Sequence, residues 1–375
     1  MKQYGDPALP PFARGGSPPR SVLVIVTRRI GDVLLATPLM RSVKRAWPEA
    51  ALDALVFDGS QGVIAANPDL RRVITIAERP GVVEHLGFLA RLLRRYDVAL
   101  STQHGDRPTF YAFVAGRWRA GLLDTTRKES WKRALLHRWL PFDNWNTHTV
   151  RMNLALAGAL GIEPRAEIAV AWRPKEARRV DAELGEVGAR LAVLHPYPKF
   201  NYKMWHRSGW LEVAGWLAAR GHRIVLSGGP DPDEAAYVAN VARAMPAGTL
   251  NLAGRLSLGE SGCLVARASV YVGPDTAMTH MAAALGTPTV ALYGPTDPVK
   301  WGPWPKDHDA GANPWRRLGN QVAGNVQLVQ GDAPCAPCHK EGCERNVRSF
   351  SDCLQELPAA RVIAALGQLL DAGNP

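Results

Sequence analysis

The sequence predicts an α/β protein built of two halves in tandem, each a parallel sheet covered by helices. Three observations carry this. The chain has 375 residues, which at ~150 residues per domain leaves room for two full hydrophobic cores. Apolar residues make up 46% and charged residues 21% of it, with a mean hydropathy of −0.13, values that exclude a disordered or fibrous chain. Short apolar runs alternate with stretches of helical period, which is the pattern of βαβ units.

Taken in order, residues 1–20 are rich in Pro and Gly and read as a flexible tail with no secretory signal. No stretch approaches the ~18 apolar residues that span a bilayer, so a cytoplasmic protein is expected, with any membrane contact peripheral. SVLVIV (21–26) reads as a buried strand ending at Thr27-Arg28-Arg29-Ile30-Gly31, and Asp32 to Trp47 is helical in pattern. Pro38 clashes with a carbonyl inside a helix. Either the helix kinks there, or a turn precedes a helix capped by Thr37 with Pro38 at its first position. Further strands are expected at 51–57, 71–77 and 96–102, and a helix at 149–160; the Arg- and Trp-rich span 107–145 resists assignment. The polar segment 171–188 reads as a linker, helical in part, between a domain at 21–170 and one at 189–355. In the second domain strands are expected at 191–196, 222–228, 269–273 and 289–294, with helices at 208–220, 232–244, 258–267 and 275–285, and a C-terminal helix at 356–375.

Ligands of open α/β sheets sit beyond the carboxyl ends of the strands, so a cleft between the halves is the expected site. No G-x-G-x-x-G follows a strand and no G-x-x-x-x-G-K-[ST] occurs, which argues against a dinucleotide dehydrogenase and a P-loop NTPase.

Four groups of residues are candidates for chemistry. Tyr271 to Pro298 reads as strand, Gly273-Pro274 turn, Asp275 as helix N-cap, a helix of small residues, a Gly286 stop and a second strand. The unpaired N–H groups at that helix start, with the Thr276 hydroxyl, suit a diphosphate, and His280 shares the face of Thr276. The alternative is that Asp275 only caps and His280 only packs. His195-Pro-Tyr-Pro-Lys-Phe-Asn-Tyr-Lys203 leaves the first strand of the second half: Lys203 can meet phosphate oxygens while His195 or Asn201 orients them, or Lys203 is merely solvated. Ser227-Gly228-Gly229 lets the backbone approach a flat ligand such as a nucleobase, or is a turn. In the first half, Asp32 can act as a general base toward an incoming hydroxyl, or cap a helix.

The chain has five cysteines, and four of them, Cys335, Cys338, Cys343 and Cys353, fall within 19 residues. They can hold a structural Zn²⁺, although the second half of the spacing fits no standard pattern. Cys335-Ala-Pro-Cys338-His339 also matches a covalent haem motif, set aside for want of an export signal. Cys263 reads as core.

Several of these motifs, in their order, carry a resemblance: Arg29-Ile-Gly-Asp-Val-Leu-Leu-Ala-Thr-Pro38, His195-Pro with Lys203-x-Trp205, Leu252-Ala-Gly-Arg-Leu-Ser-Leu258, and Gly273-Pro-Asp-Thr276 to Pro298. Together they resemble the ADP-heptose:lipopolysaccharide heptosyltransferases of glycosyltransferase family 9 over roughly residues 21–370. Trp301-Gly-Pro-Trp304 looks most like the branch adding the third core heptose. The resemblance implies a GT-B fold, two Rossmann-like domains facing a central cleft, and inverting transfer from ADP-L-glycero-β-D-manno-heptose to the lipopolysaccharide inner core, with no metal required for catalysis. It assigns Asp32 as the base, Lys203 and Thr276 to the departing diphosphate, Asp275 to donor sugar hydroxyls and His280 to supporting that corner. His195-Pro-Tyr-Pro-Lys-Phe-Asn replaces a Ser/Thr-bearing stretch, and Pro274 stands where small or apolar residues also occur. A GT-B enzyme with another nucleotide sugar is the alternative.

Charge is uneven. Lys and Arg number 45 against 34 Asp and Glu, a formal +11, and 35 of the 45 are Arg. Residues 1–170 hold 24 basic and 15 acidic side chains (+9), and residues 171–375 hold 21 and 19 (+2). The excess therefore lies in the half that the resemblance assigns to an anionic glycolipid acceptor, with Arg29 and Arg107 as acceptor-binding candidates. Arg107, Arg117, Arg119, Arg127, Lys128, Lys132, Arg133 and Arg138, among Trp118, Trp131 and Trp139, are expected to face the anionic headgroups of the inner membrane. No helix-turn-helix, RRM or zinc-finger pattern appears, so nucleic acid is not an expected partner.

Overall fold

A computed structural model of the chain describes Pro10, Phe12 and residues 16–185 and 190–372. Its contacts divide it into two units: residues up to Ala169 together with Asp309–Ala312, and the remainder from Val170 onward. Most of the expected 1–20 tail lies outside the described residues. Phe12 of that tail packs edge-on against Trp47 and Trp118.

The first unit runs β1 (Ser21–Val26), α1 (Ile30–Leu35), α2 (Thr37–Ala46), β2 (Ala51–Phe57), β3 (Arg72–Ile76), α3 (Val82–Leu92), β4 (Tyr96–Ser101), α4 (Asp106–Ala115), β5 (Gly116–Leu123), α5 (Ser130–Arg133), β6 (Arg138–Pro141) and α6 (Thr149–Leu160). The six strands are all parallel, in the order β3-β2-β1-β4-β5-β6. β1 lies at the centre with both faces covered, which is why it reads as an unbroken apolar run. Leu23 and Ile25 of β1, with Phe88 and Leu92 of α3 and Tyr111 of α4, build the core on one face. The helix after β1 is broken in two at Ala36, and α2 begins at Thr37 with Pro38 in its first turn. The cap is not the expected one: Ala36 holds the N-cap position, and the Thr37 hydroxyl turns back to donate to the Leu34 carbonyl at 2.7 Å.

The second unit runs α7 (Pro174–Leu184), β7 (Arg190–Leu194), α8 (Arg207–Ala218), β8 (His222–Leu226), α9 (Pro232–Ala242), β9 (Leu250–Asn251), α10 (Leu258–Ala266), β10 (Val270–Pro274), α11 (Ala277–Leu285), β11 (Thr289–Tyr293), α12 (Pro298–Trp301), β12 (Gln321–Ala323), β13 (Val326–Gln330), α13 (Asp352–Gln355) and α14 (Ala359–Ala372). Its seven-stranded sheet has the order β12-β13-β11-β10-β7-β8-β9, antiparallel only between β12 and β13. The segment expected as a linker holds α7, which buries Val180 and Leu184 and packs against α10. α14 packs against α8 and β13 with Val362 and Leu366 fully buried. In both units a central strand, β1 or β7, has parallel neighbours on either side that the chain reaches by crossing in opposite directions. The carboxyl ends of β1 and β4, and of β7 and β10, are therefore where a ligand crevice opens.

Candidate functional site

In the first unit, Asp32 sits in the first turn of α1, just past the end of β1, and is partly exposed. Arg29, not Asp32, holds the N-cap position. Arg28 Nε lies 4.0 Å from Asp32 Oδ1. The Ser60 hydroxyl donates to the Arg28 carbonyl at 3.1 Å, tying the loop after β2 to the loop after β1. Arg107, in the first turn of α4, donates to the Glu78 carbonyl at 2.5 Å and lies over the Phe57 ring. Arg29, Asp32 and Arg107 thus all stand at the carboxyl edge of this sheet.

At this edge sequence reasoning missed His104 and gave Lys132 a different role. His104 follows β4 with its ring 4.3 Å from that of Phe142, and burial pushes its pKa down. Lys132 is fully buried, donates to the His104 carbonyl at 2.8 Å, and pairs with Asp106 at 2.5 Å and with Glu129. Burial opposes its charge, but these bonds outweigh the burial and raise its pKa. A lysine so engaged orders the loop after β4 and cannot face a headgroup. Arg119 is buried against the Phe113 ring, and Trp118 is stacked on His137 and covered by Phe12. Of the stretch expected to face headgroups, Lys132 and Arg119 are therefore turned inward, whereas Arg117, Lys128 and Trp131 stay exposed.

In the second unit the expected donor residues converge. Lys203 Nζ lies 2.5 Å from Asp275 Oδ2 and 3.3 Å from the Asp275 carbonyl. His280 Nε2 lies 3.5 Å from Asp275 Oδ1, and the Tyr293 hydroxyl lies 3.4 Å from the same oxygen. Burial alone pushes the Asp275 carboxyl up; Lys203 and His280 more than reverse this and hold it well below the usual carboxylate range. Asp275 is not the helix cap expected of it. The N-cap position of α11 belongs to Thr276, whose side chain caps nothing. The carboxylate points instead into the Lys203–His280 pair, and the α11 amides are left without a side-chain cap. Thr279 braces the turn by donating to the Pro274 carbonyl, with Tyr271 Oη 3.1 Å from its hydroxyl.

Beyond β7 and β8, His195 Nδ1 lies 3.1 Å from the Ser227 hydroxyl. Burial drives the His195 pKa down to about 4, against the hydrogen bond at Ser227, so this imidazole is neutral at pH 7 and brings no charge to a phosphate. Asn201 donates its amide to the Arg348 carbonyl at 2.9 Å. Gly228 must be glycine, since a Cβ there would come within 2.9 Å of Ala253 Cβ and 3.0 Å of Glu234 Oε1. Glu234, which sequence reasoning passed over, is buried and accepts from the Gly229 amide at 2.5 Å. Asp297, also missed, is fully buried, pairs with Arg317 at 2.8 Å and lies 3.6 Å from His339 Nε2.

Among the described residues no group of three or more His, Cys, Asp or Glu side chains is arranged to hold a metal ion. Cys353 is buried in the core, its sulfur close against Gly294, whereas Cys335 and Cys343 are exposed. Burial, and then the neighbouring thiols, raise the Cys353 pKa to about 12. As a set these side chains do not fit the expected structural Zn²⁺, and no step is derived through one.

Two such sheets, one with a carboxylate beyond its first strand and the other with a charge cluster at the head of a small-residue helix, define a GT-B glycosyltransferase. Solved structures share the fold: Escherichia coli ADP-heptose lps heptosyltransferase II (TM-score 0.72, 19% identity, 95% of this chain and 100% of that one) and E. coli heptosyltransferase WaaC with ADP-2-deoxy-2-fluoro heptose (TM-score 0.70, 22% identity, 93% and 99%). Residues 87–322 match glycosyltransferase family 9 (heptosyltransferase), and the chain belongs to that family. Among curated relatives, lipopolysaccharide heptosyltransferase 3 of E. coli is 27% identical over 369 residues, covering 92% of this chain and 97% of the relative.

Proposed function

We propose that this enzyme moves a heptose from ADP-L-glycero-β-D-manno-heptose to the inner core of lipopolysaccharide, with inversion at the anomeric carbon. The observation that carries the reading is the Lys203–Asp275–His280 cluster at the start of α11, together with the heptosyltransferase relatives. Asp32 takes the proton of the acceptor hydroxyl as its oxygen attacks the anomeric carbon. The bond from that carbon to the diphosphate breaks, and ADP carries away the electron pair. Negative charge then grows on the diphosphate, where Lys203, the Thr276 hydroxyl and the amides of α11 stabilise it. Asp275, held ionised, keeps Lys203 in place and accepts from donor sugar hydroxyls, with His280 supporting its second oxygen. Ser227 and Gly228 border the nucleotide, and Arg29 and Arg107 meet acidic groups of the acceptor. Fixed cations and amides do this work, so the scheme needs no metal ion, and EDTA should leave the rate unchanged.

The acceptor is a glycolipid, so the reading places the enzyme at the cytoplasmic face of the inner membrane as a peripheral protein. In the described residues no helix is long and apolar enough to cross a membrane. Incubation with ADP-heptose and heptosylated core should release ADP, and Asp32→Asn should lower the rate at least about a thousandfold at unchanged melting temperature. An unaltered rate in that variant removes Asp32 as the base. Thermal stabilisation by ADP over UDP and GDP tests the donor, since a ligand that binds only the native state stabilises it.

A further inference from the structure

One helix of the first unit has two apolar faces. The inner face of α3 places Phe88 and Leu92 in the core, with His85 against the Tyr111 ring. The outer face carries Val82 (77% exposed), Val83 (86%) and Leu86 (62%), and Leu93, one residue past the helix, is 62% exposed. Val82, Leu86, Ala90 and Leu93 fall at i, i+4, i+8 and i+11, one row along the helix, and Ala90 is exposed as well. Phe110 of the neighbouring α4 is 40% exposed. An ordinary surface helix is polar on its outer side, so this row needs a partner.

Charge says which. Exposed arginines stand at both ends of the row: Arg79 before it, and Arg91, Arg94 and Arg95 at its far end. The acidic groups nearby are engaged. Glu84 accepts from the Gly81 amide at 3.4 Å, Asp106 pairs with Lys132, and Asp97 pairs with Arg117 at 3.3 Å. Glu78 is exposed beside Arg79. A narrow apolar row with arginines at its ends is the arrangement of an interfacial helix lying on an anionic bilayer, aliphatic side chains among the acyl chains and guanidinium groups among the phosphates. In a parallel sheet the start of α3 lies at the carboxyl edge, where Asp32, Arg29 and Arg107 stand.

We propose that the outer face of α3, with Phe110 and the arginines at its ends, is the surface on which the first unit rests on an anionic bilayer. This deepens the reading of a lipid-anchored acceptor: a helix flat on the membrane sets the acceptor edge at the headgroup level. Co-sedimentation of the full chain with vesicles of phosphatidylcholine, alone or mixed with phosphatidylglycerol, tests it. The wild type should bind the anionic vesicles at least tenfold more tightly than the neutral ones. The double variant V83E/L86E should lose at least tenfold of that binding, whereas Leu318→Glu, the same change at an exposed leucine of the second unit, should keep it. An unchanged melting temperature and ADP response show that V83E/L86E is folded. Equal vesicle binding by wild type and V83E/L86E, or none by the wild type, overturns the proposal. So does a wild-type dimer that V83E/L86E converts to monomer without any vesicle binding, which assigns the face to a second copy of the chain. A water-soluble, deacylated core acceptor separates this from the function itself. Equal turnover by both proteins leaves heptosyl transfer standing, and no turnover by either defeats the transfer reading without touching the vesicle result.

Discussion

Lys203 and Asp275 are worth most to each other. A buried carboxylate stripped of its cation costs about 3–5 kcal/mol, so Lys203→Met should lower the melting temperature and abolish stabilisation by ADP. Adding Asp275→Asn should restore part of the stability, because no buried charge is then left alone, without restoring activity; calorimetry on the two variants decides this. His195 gives a pH signature. Its folded pKa of about 4 lies below the ordinary imidazole value of 6.5, so the fold favours the neutral ring. The contribution is complete above pH 6.5 and is lost as the pH falls toward 4, up to roughly 3 kcal/mol. Urea midpoints measured across that window should fall less steeply in His195→Gln than in the wild type.

At the scale of elements, the turn between β10 and α11 sets the site. A Cβ on Gly273 would lie 2.2 Å from Tyr271 Oη and 2.7 Å from its Cζ, and that ring is fully buried, its hydroxyl against Thr279. It has nowhere to go. Gly273→Ala should cost about 1–3 kcal/mol by overpacking and weaken ADP binding by shifting the start of α11, which thermal melts with and without ADP will show. Gly286, in the left-handed region at φ +83°, ends the same helix. The expected strand, small-residue helix and strand are therefore present with their stops. What differs is the junction, where Asp275 leaves the cap position in favour of a cation 72 residues away in the chain. No local pattern can reveal such a partner.

At the scale of the whole molecule, the proposed labour divides by unit, which makes the two halves separable by experiment. Asp32→Asn should abolish transfer while keeping the thermal shift with ADP, whereas Lys203→Met should lose both; a variant of Asp32 that no longer responds to ADP contradicts the division. Part of the basic side chains of the first half, though not its net +9, is also engaged inside it. Arg71 and Arg72 pair with the fully buried Asp53, Arg41 with Asp69 and Glu167, and Lys132 with Asp106 and Glu129.

The sequence by itself determined the class of fold, because apolar periodicity, glycine stops and proline positions act over a few residues and survive in any reading of the chain. β1 and β2 fall where their apolar runs predict, and Asp32, Lys203, Asp275 and Thr276 stand beyond the carboxyl ends of strands, where their motifs put them. Strands β12 and β13 were less legible: the alternation in VQLVQ was the available signal, and a three-residue partner offers almost none. Only the tertiary structure decided which charges are free to act. It joined Lys203 to Asp275, buried Lys132 and Arg119 within the first unit, sank Cys353 into the core and left the outer face of α3 bare. Pairing and burial depend on residues far apart in the chain, and their energies exist only once the sheets have closed around them.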